Sequence, residues 1–200
     1  MLKYVIKNVS DITDETYKKS FECMNAERQA KVKRFKNTIQ KKCTLAGEWL
    51  AREMLADITG ENPEHFVISA DEKGKLHCDN FPQIHFNISH SDELVAVAVC
   101  NKPVGIDIES LREVSLKLAK RVCSQKELEY VFEKLPDEED YLSQNPEYIK
   151  RFLEIWTIKE AYFKCTGTGI TDFQTVDALG DNFKKIKIEN NSYIMHIVTK

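Results

Sequence analysis

Hydrophobic residues at three- and four-residue spacing mark the helices of this chain. Residues 40–59 show this spacing and end before Gly60, a residue type that commonly stops a helix. Residues 146–166 show it as well, and Asn145 precedes them as a helix N-cap. Helical spacing also covers residues 116–135. The pattern therefore predicts two long helices and a third helical region.

Short apolar runs between turn residues predict strands. Six such runs are residues 66–70, 84–89, 94–100, 104–109, 183–189 and 192–198. Strands and helices occur in both halves of the chain, which predicts an α+β fold with a joint at the turn of residues 101–103. The acidic stretch at residues 135–145 predicts a solvated loop.

Composition indicates one folded unit. The chain has 200 residues, of which 42% are hydrophobic and 30% charged, so it can bury a core and is not a disordered protein. No apolar run approaches the roughly 18 residues of a membrane span, and residues 1–15 lack the apolar core of a signal peptide. Six cysteines are scattered without C-x-x-C pairs, which favours reduced thiols and a cytoplasmic protein.

Charge is distributed unevenly along the chain. With 29 basic and 32 acidic residues the net charge is −3, which argues against a general nucleic-acid binder. Residues 28–42 nevertheless contain seven basic residues and no acidic one. These are Arg28, Lys31, Lys33, Arg34, Lys36, Lys41 and Lys42. Such a segment suits a polyanion such as a nucleotide phosphate, an RNA backbone or an acidic protein, and a solvated helix face is the alternative.

Two carboxylates share one side of a predicted strand. Period-two alternation in residues 104–109 places Asp107 and Glu109 on the same side. Like charges this close repel unless a cation lies between them or one stays protonated. A Mg²⁺ site is one interpretation, and the solvent-facing edge of a half-buried strand is the other.

A third carboxylate lies in the apolar stripe of the C-terminal helix. At 100° per residue, Glu160 falls inside an arc that contains Phe152 and Trp156. A buried carboxylate is costly without compensation, and Lys159 and Lys164 flank the arc. A surface Glu–Lys pair is one explanation. The other is a third oxygen ligand for Mg²⁺, with Lys164 one turn away to hold a phosphate oxygen or to transfer a proton.

Ser89 and His90 stand together at the end of a predicted strand. No nucleophile elbow of the G-x-S-x-G kind surrounds them, so we interpret both as hydrogen-bond donors to an anion rather than as a hydrolase pair. The histidines and cysteines nearby match no zinc-ligand spacing. Gly74 lies in the turn Lys73-Gly74-Lys75 and permits close approach of the backbone.

Four motifs in a fixed order resemble one known family. They are Gly74-Lys75, FNISHS at residues 86–91, GIDIE at residues 105–109, and W-x-x-K-E-A-x-x-K at residues 156–164. In this combination the chain is similar, over nearly its whole length, to the 4′-phosphopantetheinyl transferases of the Sfp type. The resemblance implies an α+β fold of two similar halves, residues 1–103 and 104–200, related by pseudo-twofold symmetry, with the active site in the cleft between them.

The resemblance also implies a reaction. The family transfers the phosphopantetheine arm of coenzyme A to a serine hydroxyl of an acyl or peptidyl carrier protein and releases 3′,5′-ADP, with Mg²⁺ as cofactor. We therefore expect a monomeric enzyme that binds coenzyme A and, transiently, a carrier protein. We expect no nucleic-acid partner and no membrane partner.

By the same resemblance, particular residues receive roles. The matching Mg²⁺ ligands are Asp107, Glu109 and Glu160. Glu160 or a water next to the metal takes the serine proton, and Lys164 neutralises the diphosphate. The positions that match coenzyme A contacts are Arg28, Lys31, Gly74, Lys75, Ser89, His90 and Lys164. The chain departs from the family pattern at Leu76, where a proline is usual, and at Cys43, where an arginine for the 3′-phosphate is usual.

Two other functions stay open on the sequence alone. One is a different Mg²⁺-dependent transferase that acts on a nucleotide diphosphate, which the same charges would suit. The other is a non-enzymatic module whose basic segment binds RNA or an acidic partner. That second function leaves the position of Glu160 in the apolar stripe unexplained.

Overall fold

The structure, a computed structural model, describes residues 1–133 and 145–200. Its N-terminal half contains strand β1 (Leu2–Asn8), helices α1 (Asp14–Cys23), α2 (Ala26–Arg34) and α3 (Thr38–Thr59), and strands β2 (Ile68–Ala70), β3 (Leu76–Cys78), β4 (His85–Ser91) and β5 (Leu94–Cys100). Its C-terminal half contains strand β6 (Val104–Ser110), helices α4 (Leu116–Val122), α5 (Gln125–Val131) and α6 (Pro146–Thr166), and strands β7 (Lys184–Glu189) and β8 (Tyr193–Thr199). The loop predicted at residues 135–145 lies, apart from Asn145, outside the described residues.

The two halves share one topology. The N-terminal half has an antiparallel sheet of order β1-β5-β4, and the C-terminal half has one of order β6-β8-β7. In each half a strand is followed by a long helix and then by two strands, of which the second lies at the centre of the sheet. Helix α3 packs against β4 and β5, and helix α6 packs against β6 and β8. The expected α+β fold in two similar halves is therefore confirmed.

One apolar layer joins the two halves through strand β5, which is buried on both faces. Its valines Val95, Val97 and Val99 belong to the core beneath α3. Its other face, Ala96, Ala98 and Cys100, packs in one cluster with buried residues of β6 and β8. Because alanine side chains are short, the second sheet approaches β5 closely, and the halves meet along a packed interface.

Most predicted elements are confirmed within two residues of their bounds, and the helical region predicted at residues 116–135 is confirmed over its described part, as two short helices instead of one. Ser124 divides this region into α4 and α5. Its hydroxyl accepts the amide of Glu127, and the Glu127 carboxylate accepts the amide of Ser124, which forms a capping box that starts a new helix. Strands β1 and β3 and helices α1 and α2 were not predicted. They are short, and each contains at most two buried residues.

The cysteines are structural thiols. All six are free, and five of them are buried. Burial raises the pKa of Cys43 to about 11 and that of Cys123 to about 12, so both stay protonated at neutral pH. Within the described ranges, no helix combines the length and the apolar character that crossing a bilayer requires.

A buried histidine lies between β8 and α6. His196 is 2% exposed, and its Nδ1 lies 2.7 Å from the hydroxyl oxygen of Thr157. That hydroxyl donates its one hydrogen to the Leu153 carbonyl at 2.7 Å, so it accepts from Nδ1–H, and the histidine is the neutral Nδ1-protonated tautomer. Burial, assisted by the ammonium groups of Lys187 and Lys185 and opposed by Glu189, lowers the pKa of His196 to about 3.

The free energy of unfolding should therefore decrease as the pH falls below 6.5. The unfolded chain binds a proton at His196 near its ordinary pKa of about 6.5, whereas the folded chain does not. At pH 5 the expected loss is about 2 kcal/mol relative to pH 7. Urea unfolding at both pH values measures it, and His196→Asn, whose amide can replace Nδ1–H, should show a correspondingly smaller loss. An equal pH dependence in the two proteins would contradict this prediction.

Candidate active site

Strands β4 and β6 are joined by side chains rather than by backbone pairing. Three side chains of β4, two residues apart, accept hydrogen bonds from three backbone amides of β6. The pairs, donor first, are Ile106 to Asn87 at 2.9 Å, Ile108 to Ser89 at 3.4 Å and Ser110 to Ser91 at 3.0 Å. Because alternate residues of a strand point to the same side, this ladder holds the FNISHS motif of one half against the GIDIE motif of the other.

Asp107 lies at the centre of this junction and is 4% exposed. Its Oδ1 accepts the hydroxyl of Ser89 at 2.9 Å and the ammonium of Lys164 at 2.5 Å. Its Oδ2 is buried and has no hydrogen-bond partner among the residues that the structure describes. Burial raises the pKa of Asp107, and the neighbouring ammonium of Lys164 opposes that effect. One carboxylate oxygen is thus left for a further positive or donor group.

Glu109 is held in place by three donors. Its Oε1 accepts the indole N–H of Trp156 at 3.0 Å, and its Oε2 accepts the hydroxyl of Ser91 at 3.1 Å and lies 3.5 Å from Nε of Arg112. The indole is itself fixed, because it stacks on Phe173 with ring centroids 5.1 Å apart. Trp156 therefore orients one of the predicted carboxylates, a role that its place in the apolar stripe did not reveal.

The side chains of Glu160 and Lys164 extend from α6 toward the carboxylates of Asp107 and Glu109. Burial raises the pKa of Glu160 to about 7, the negative charges of Asp107 and Glu109 act in the same direction, and Lys164 acts against them. Three carboxylates and one ammonium group thus lie close together in a partly buried site. Such a cluster carries excess negative charge, which favours either a bound proton or a bound cation.

Gly105 makes this arrangement sterically feasible. A Cβ built on Gly105 would overlap the carbonyl oxygen of Ala161 and the amide nitrogen of Cys165. Helix α6 therefore lies directly on the backbone of β6, and only glycine allows that approach. As a result Glu160 and Lys164 reach the carboxylates of β6.

A cleft of about 430 Å³ opens beside the cluster and is lined by both halves. Seven of the residues predicted from the sequence line it. These are Arg28, Lys31, Gly74, Lys75, His90, Glu160 and Lys164. Leu76 lines it as well. A larger cavity of about 590 Å³ surrounds Asn101, Tyr162 and Phe183 and contains none of the predicted site residues, so the chemistry is concentrated in the smaller cleft.

Three predicted residues lie beside the cleft rather than on its wall. Asp107 and Glu109 are not among the lining residues, and Ser89 is 5% exposed and hydrogen-bonds both Asp107 and Lys164. Its hydroxyl already serves Asp107, Lys164 and the amide of Ile108. The geometry therefore favours Ser89 as a residue that positions Asp107 and Lys164, and its predicted contact with coenzyme A stays a prediction.

Arg28 forms part of a buried ion cluster that the sequence did not indicate. Its Nε donates to Glu48 Oε2 at 2.7 Å, and Glu48 Oε1 accepts from Arg52 at 3.1 Å. Glu48 and Arg52 are 0% exposed, and Arg28 is 9% exposed. Glu48 thus fixes the guanidinium of Arg28 at the wall of the cleft. By contrast, Cys43 is buried in the N-terminal core and its side chain does not line the cleft.

Lys159 does not take part in the carboxylate cluster of Asp107, Glu109 and Glu160. It is 0% exposed, and its ammonium donates to the Glu127 carboxylate at 2.6 Å and to the carbonyls of Val122 and Phe173 at 2.9 Å each. Glu127 also accepts the amides of Ser124 and Ala178. This buried pair ties α5 and α6 to the chain around residue 175.

No group of three or more His, Cys, Asp or Glu side chains within residues 1–133 and 145–200 is arranged as it would be around a metal ion. The contacts of the carboxylates give the reason. The ammonium of Lys164 occupies Asp107 Oδ1, and donors from Trp156 and Ser91 occupy both oxygens of Glu109. The three carboxylates are neighbours, but three of their six oxygens already accept hydrogen bonds from protein groups.

Comparisons with known proteins match both halves. Residues 103–196 match the family model described as the 4′-phosphopantetheinyl transferase superfamily, and residues 11–102 match the one described as 4′-phosphopantetheinyl transferase, N-terminal. The two matches are consecutive, so the two-half fold corresponds to the two-lobed architecture of this class of proteins.

Individual relatives agree with this class. The 4′-phosphopantetheinyl transferase Sfp of Bacillus subtilis strain 168 is 30% identical over 161 residues, which are 80% of this chain and 67% of that protein. The 4′-phosphopantetheinyl transferase gsp of Aneurinibacillus migulanus is 36% identical over 147 residues, 74% of this chain and 57% of that protein. A 4′-phosphopantetheinyl transferase of Bacillus subtilis is 34% identical over 149 residues, 74% of this chain and 62% of that protein. The chain belongs to the 4′-phosphopantetheinyl transferase family and is of the Sfp type, although it spans only about 60% of the length of several of these relatives.

Proposed function

We propose that this protein transfers the 4′-phosphopantetheine group of coenzyme A to a serine hydroxyl of an acyl or peptidyl carrier protein and releases 3′,5′-ADP. The observation that carries the proposal is a cleft whose wall combines a basic cluster with a group of carboxylates beside it. Glu160 and Lys164 line the cleft next to Asp107 and Glu109, and the cations Arg28 and Lys31 line it as well. A ligand with a diphosphate and a separate phosphate fits such a cleft.

The chemistry of the oxygen donors suits a Mg²⁺ ion. In this proposal Asp107, Glu109 and Glu160 hold it, and the buried Oδ2 of Asp107, which lacks a partner in the described part of the chain, is a ready oxygen ligand. When bound, Mg²⁺ supplies positive charge that stabilises the diphosphate as its charge increases in the transition state. The family names of the relatives support the reaction, and the excess negative charge around Glu160 supports the ion.

The protein's own groups have separate tasks in this reaction. The serine oxygen of the carrier protein forms a bond to the phosphorus next to pantetheine, and the bond from that phosphorus to the oxygen of 3′,5′-ADP breaks. Among the described residues that line the cleft, Glu160 is the one with a carboxylate side chain. It is therefore placed to accept the serine proton. Lys164 holds a diphosphate oxygen and compensates the charge of the leaving group.

The basic wall is proposed to bind the nucleotide end of coenzyme A. Arg28, Lys31 and His90 line both this cleft and an adjoining cavity of about 210 Å³. Thr44 lines both as well. In this proposal residues 1–103 and 104–200 are the two halves that enclose the ligand, and the backbone around Gly74 approaches it closely.

Replacing Lys31 with methionine should weaken coenzyme A about ten- to a hundred-fold, because one charged hydrogen bond contributes roughly 1.5–3 kcal/mol. Dephospho-coenzyme A should lose much less affinity if Lys31 meets the 3′-phosphate. Isothermal titration calorimetry with both ligands measures this, and Lys36→Met, which removes an exposed cation that does not line the cleft, is the control. Equal losses for the two ligands would show that Lys31 does not meet the 3′-phosphate.

The proposed partner is an acidic carrier protein. Lys33, Arg34 and Lys36 are exposed next to the cleft-lining part of α2 and do not line the cleft themselves, so they remain available to steer an anionic partner. Residues from both halves of the chain line the cleft, and we propose a monomer as the working unit. Six free cysteines support a reducing, cytoplasmic setting.

Mass spectrometry tests the proposed function directly. The protein is incubated with an apo carrier protein, coenzyme A and Mg²⁺, and the carrier protein is then weighed and fragmented. A serine-linked gain of the phosphopantetheine mass, accompanied by 3′,5′-ADP, is the expected result. An unmodified carrier protein with consumption of the nucleotide would instead indicate another nucleotide-diphosphate transferase, and an unmodified carrier protein without consumption would favour a binding module.

A further inference from the structure

Lys75 connects the two halves at the C-terminal end of α6. Its ammonium donates to the carbonyl of Lys164 at 2.6 Å and to the carbonyl of Cys165 at 2.8 Å. It comes from the turn between β2 and β3 in the N-terminal half, 89 residues away from Lys164 in the chain. The neighbouring Lys73 donates to the Thr168 carbonyl at 3.1 Å. The turn Lys73-Gly74-Lys75 thus meets the end of the helix.

The carbonyls that Lys75 binds are those that a helix end cannot satisfy by itself. The last four carbonyls of a helix lack intrahelical partners, and α6 ends at Thr166 with Gly167 in the left-handed conformation. The amide of Gly167 pairs with the Phe163 carbonyl, and Lys75 takes the next two. A cation at this position also interacts favourably with the helix dipole.

The helix turn that Lys75 holds is the one that carries Lys164. The backbone carbonyl of Lys164 accepts from Lys75, while its side chain reaches Asp107 and Ser89. Two hydrogen bonds from one half therefore fix the backbone from which a charged side chain of the other half projects. Both of these bonds go to α6, so two of the three N–H donors of the Lys75 ammonium are used by the helix end.

We propose that Lys75 is a positioning residue that clamps the last turn of α6 from the opposite half and so sets the place of Lys164. The catalytic consequence rests on the proposed function, because it concerns the diphosphate that Lys164 would hold. The clamp itself does not depend on that function. It replaces the direct contact with coenzyme A that the family resemblance implies for Lys75.

The chain offers a matched control for the loss of such a clamp. Lys185 is half-buried and donates to the carbonyls of Ala178 and Gly180 at 2.6 and 2.8 Å, the same distances as for Lys75. It lies outside the cleft lining and does not contact α6 through these bonds. Lys185→Met therefore removes an equivalent pair of hydrogen bonds without touching the turn that carries Lys164.

Hydrogen–deuterium exchange and steady-state kinetics on Lys75→Met and Lys185→Met test the proposal. In Lys75→Met, amides in residues 164–169 should exchange about tenfold faster or more, and kcat should fall about ten- to a hundred-fold while the KM for coenzyme A stays nearly constant. Lys185→Met should change neither the exchange of residues 164–169 nor kcat. If Lys75→Met does not fold, Lys75→Gln is used instead, because the glutamine side chain is too short to donate to both carbonyls.

Two results would overturn the clamp. One is unchanged exchange in residues 164–169 of the Lys75 variant. The other is a raised KM for coenzyme A with kcat preserved, which would make Lys75 a ligand contact. Failure of the proposed function is distinguishable from both, because it appears as a wild-type protein that does not modify the carrier protein, whereas the exchange experiment needs no reaction.

Discussion

Lys159→Met should lower the free energy of unfolding by about 3–5 kcal/mol, because it leaves a buried carboxylate without its cation. Glu127 and Lys159 are both 0% exposed, and the ammonium uses three hydrogen bonds, one to the carboxylate and two to carbonyls. Methionine fills a similar volume but donates to none of these groups. Urea unfolding at pH 7 measures the difference.

A double variant separates the lost pair from lost packing. Lys159→Met combined with Glu127→Gln removes both charges, so the unpaired carboxylate no longer contributes, and the loss should be clearly smaller than in Lys159→Met alone. Lys150→Met is a suitable control, since its ion pair with Glu189 is at the surface and partly exposed, and surface pairs contribute about 0–1 kcal/mol. If the single and the double variant unfold at the same denaturant concentration, the pair is not what stabilises this region.

Asp107→Ala, Glu109→Ala and Glu160→Ala should each reduce transfer to the carrier protein on the order of a thousandfold, because each removes a carboxylate that would hold Mg²⁺ at the reacting diphosphate. The three residues act as one unit in the proposed site, so a double variant should lose little more than either single one. Because each side chain lies at the junction of β4, β6 and α6, circular dichroism and urea unfolding are used to check that each variant protein is folded.

The matched control for these substitutions is Glu154→Ala. Glu154 is a carboxylate of the same helix, but it pairs with Lys187 and with the hydroxyl of Tyr130, away from the cleft. We expect its rate of transfer to stay near that of the wild type. A folded Asp107, Glu109 or Glu160 variant that keeps the wild-type rate at saturating Mg²⁺ would remove that residue from the proposed site.

Local periodicity was enough to predict much of the fold and part of the site. The spacing of apolar residues predicted α3 and α6, and period-two alternation placed Asp107 and Glu109 on one side of β6. The helical period also placed Glu160 in the apolar stripe with Lys164 one turn further on. Side chains rotate by about 100° per residue in a helix and 180° per residue in a strand, so the order of the amino acids is enough to show which residues share a face.

Contacts between distant parts of the chain followed no such pattern. The sequence showed Lys159 and Lys164 as two similar cations beside Glu160, and only packing separated them, since one is buried with Glu127 and the other reaches Asp107. In the same way nothing local indicated that Glu48 would hold Arg28, or that Ser89 would lie beneath the cleft wall.

By itself the sequence determined the family, the α+β class, the long helices and the carboxylates that share one face, because motifs and periods are properties of neighbouring residues. Only the tertiary structure decided which charges meet. Lys75 lies 89 residues from the helix end that it binds, and Lys159 lies 32 residues from Glu127. Partners at such separations are selected by how α6 packs on β6, an approach that Gly105 permits, and packing of this kind is a property of the whole folded chain.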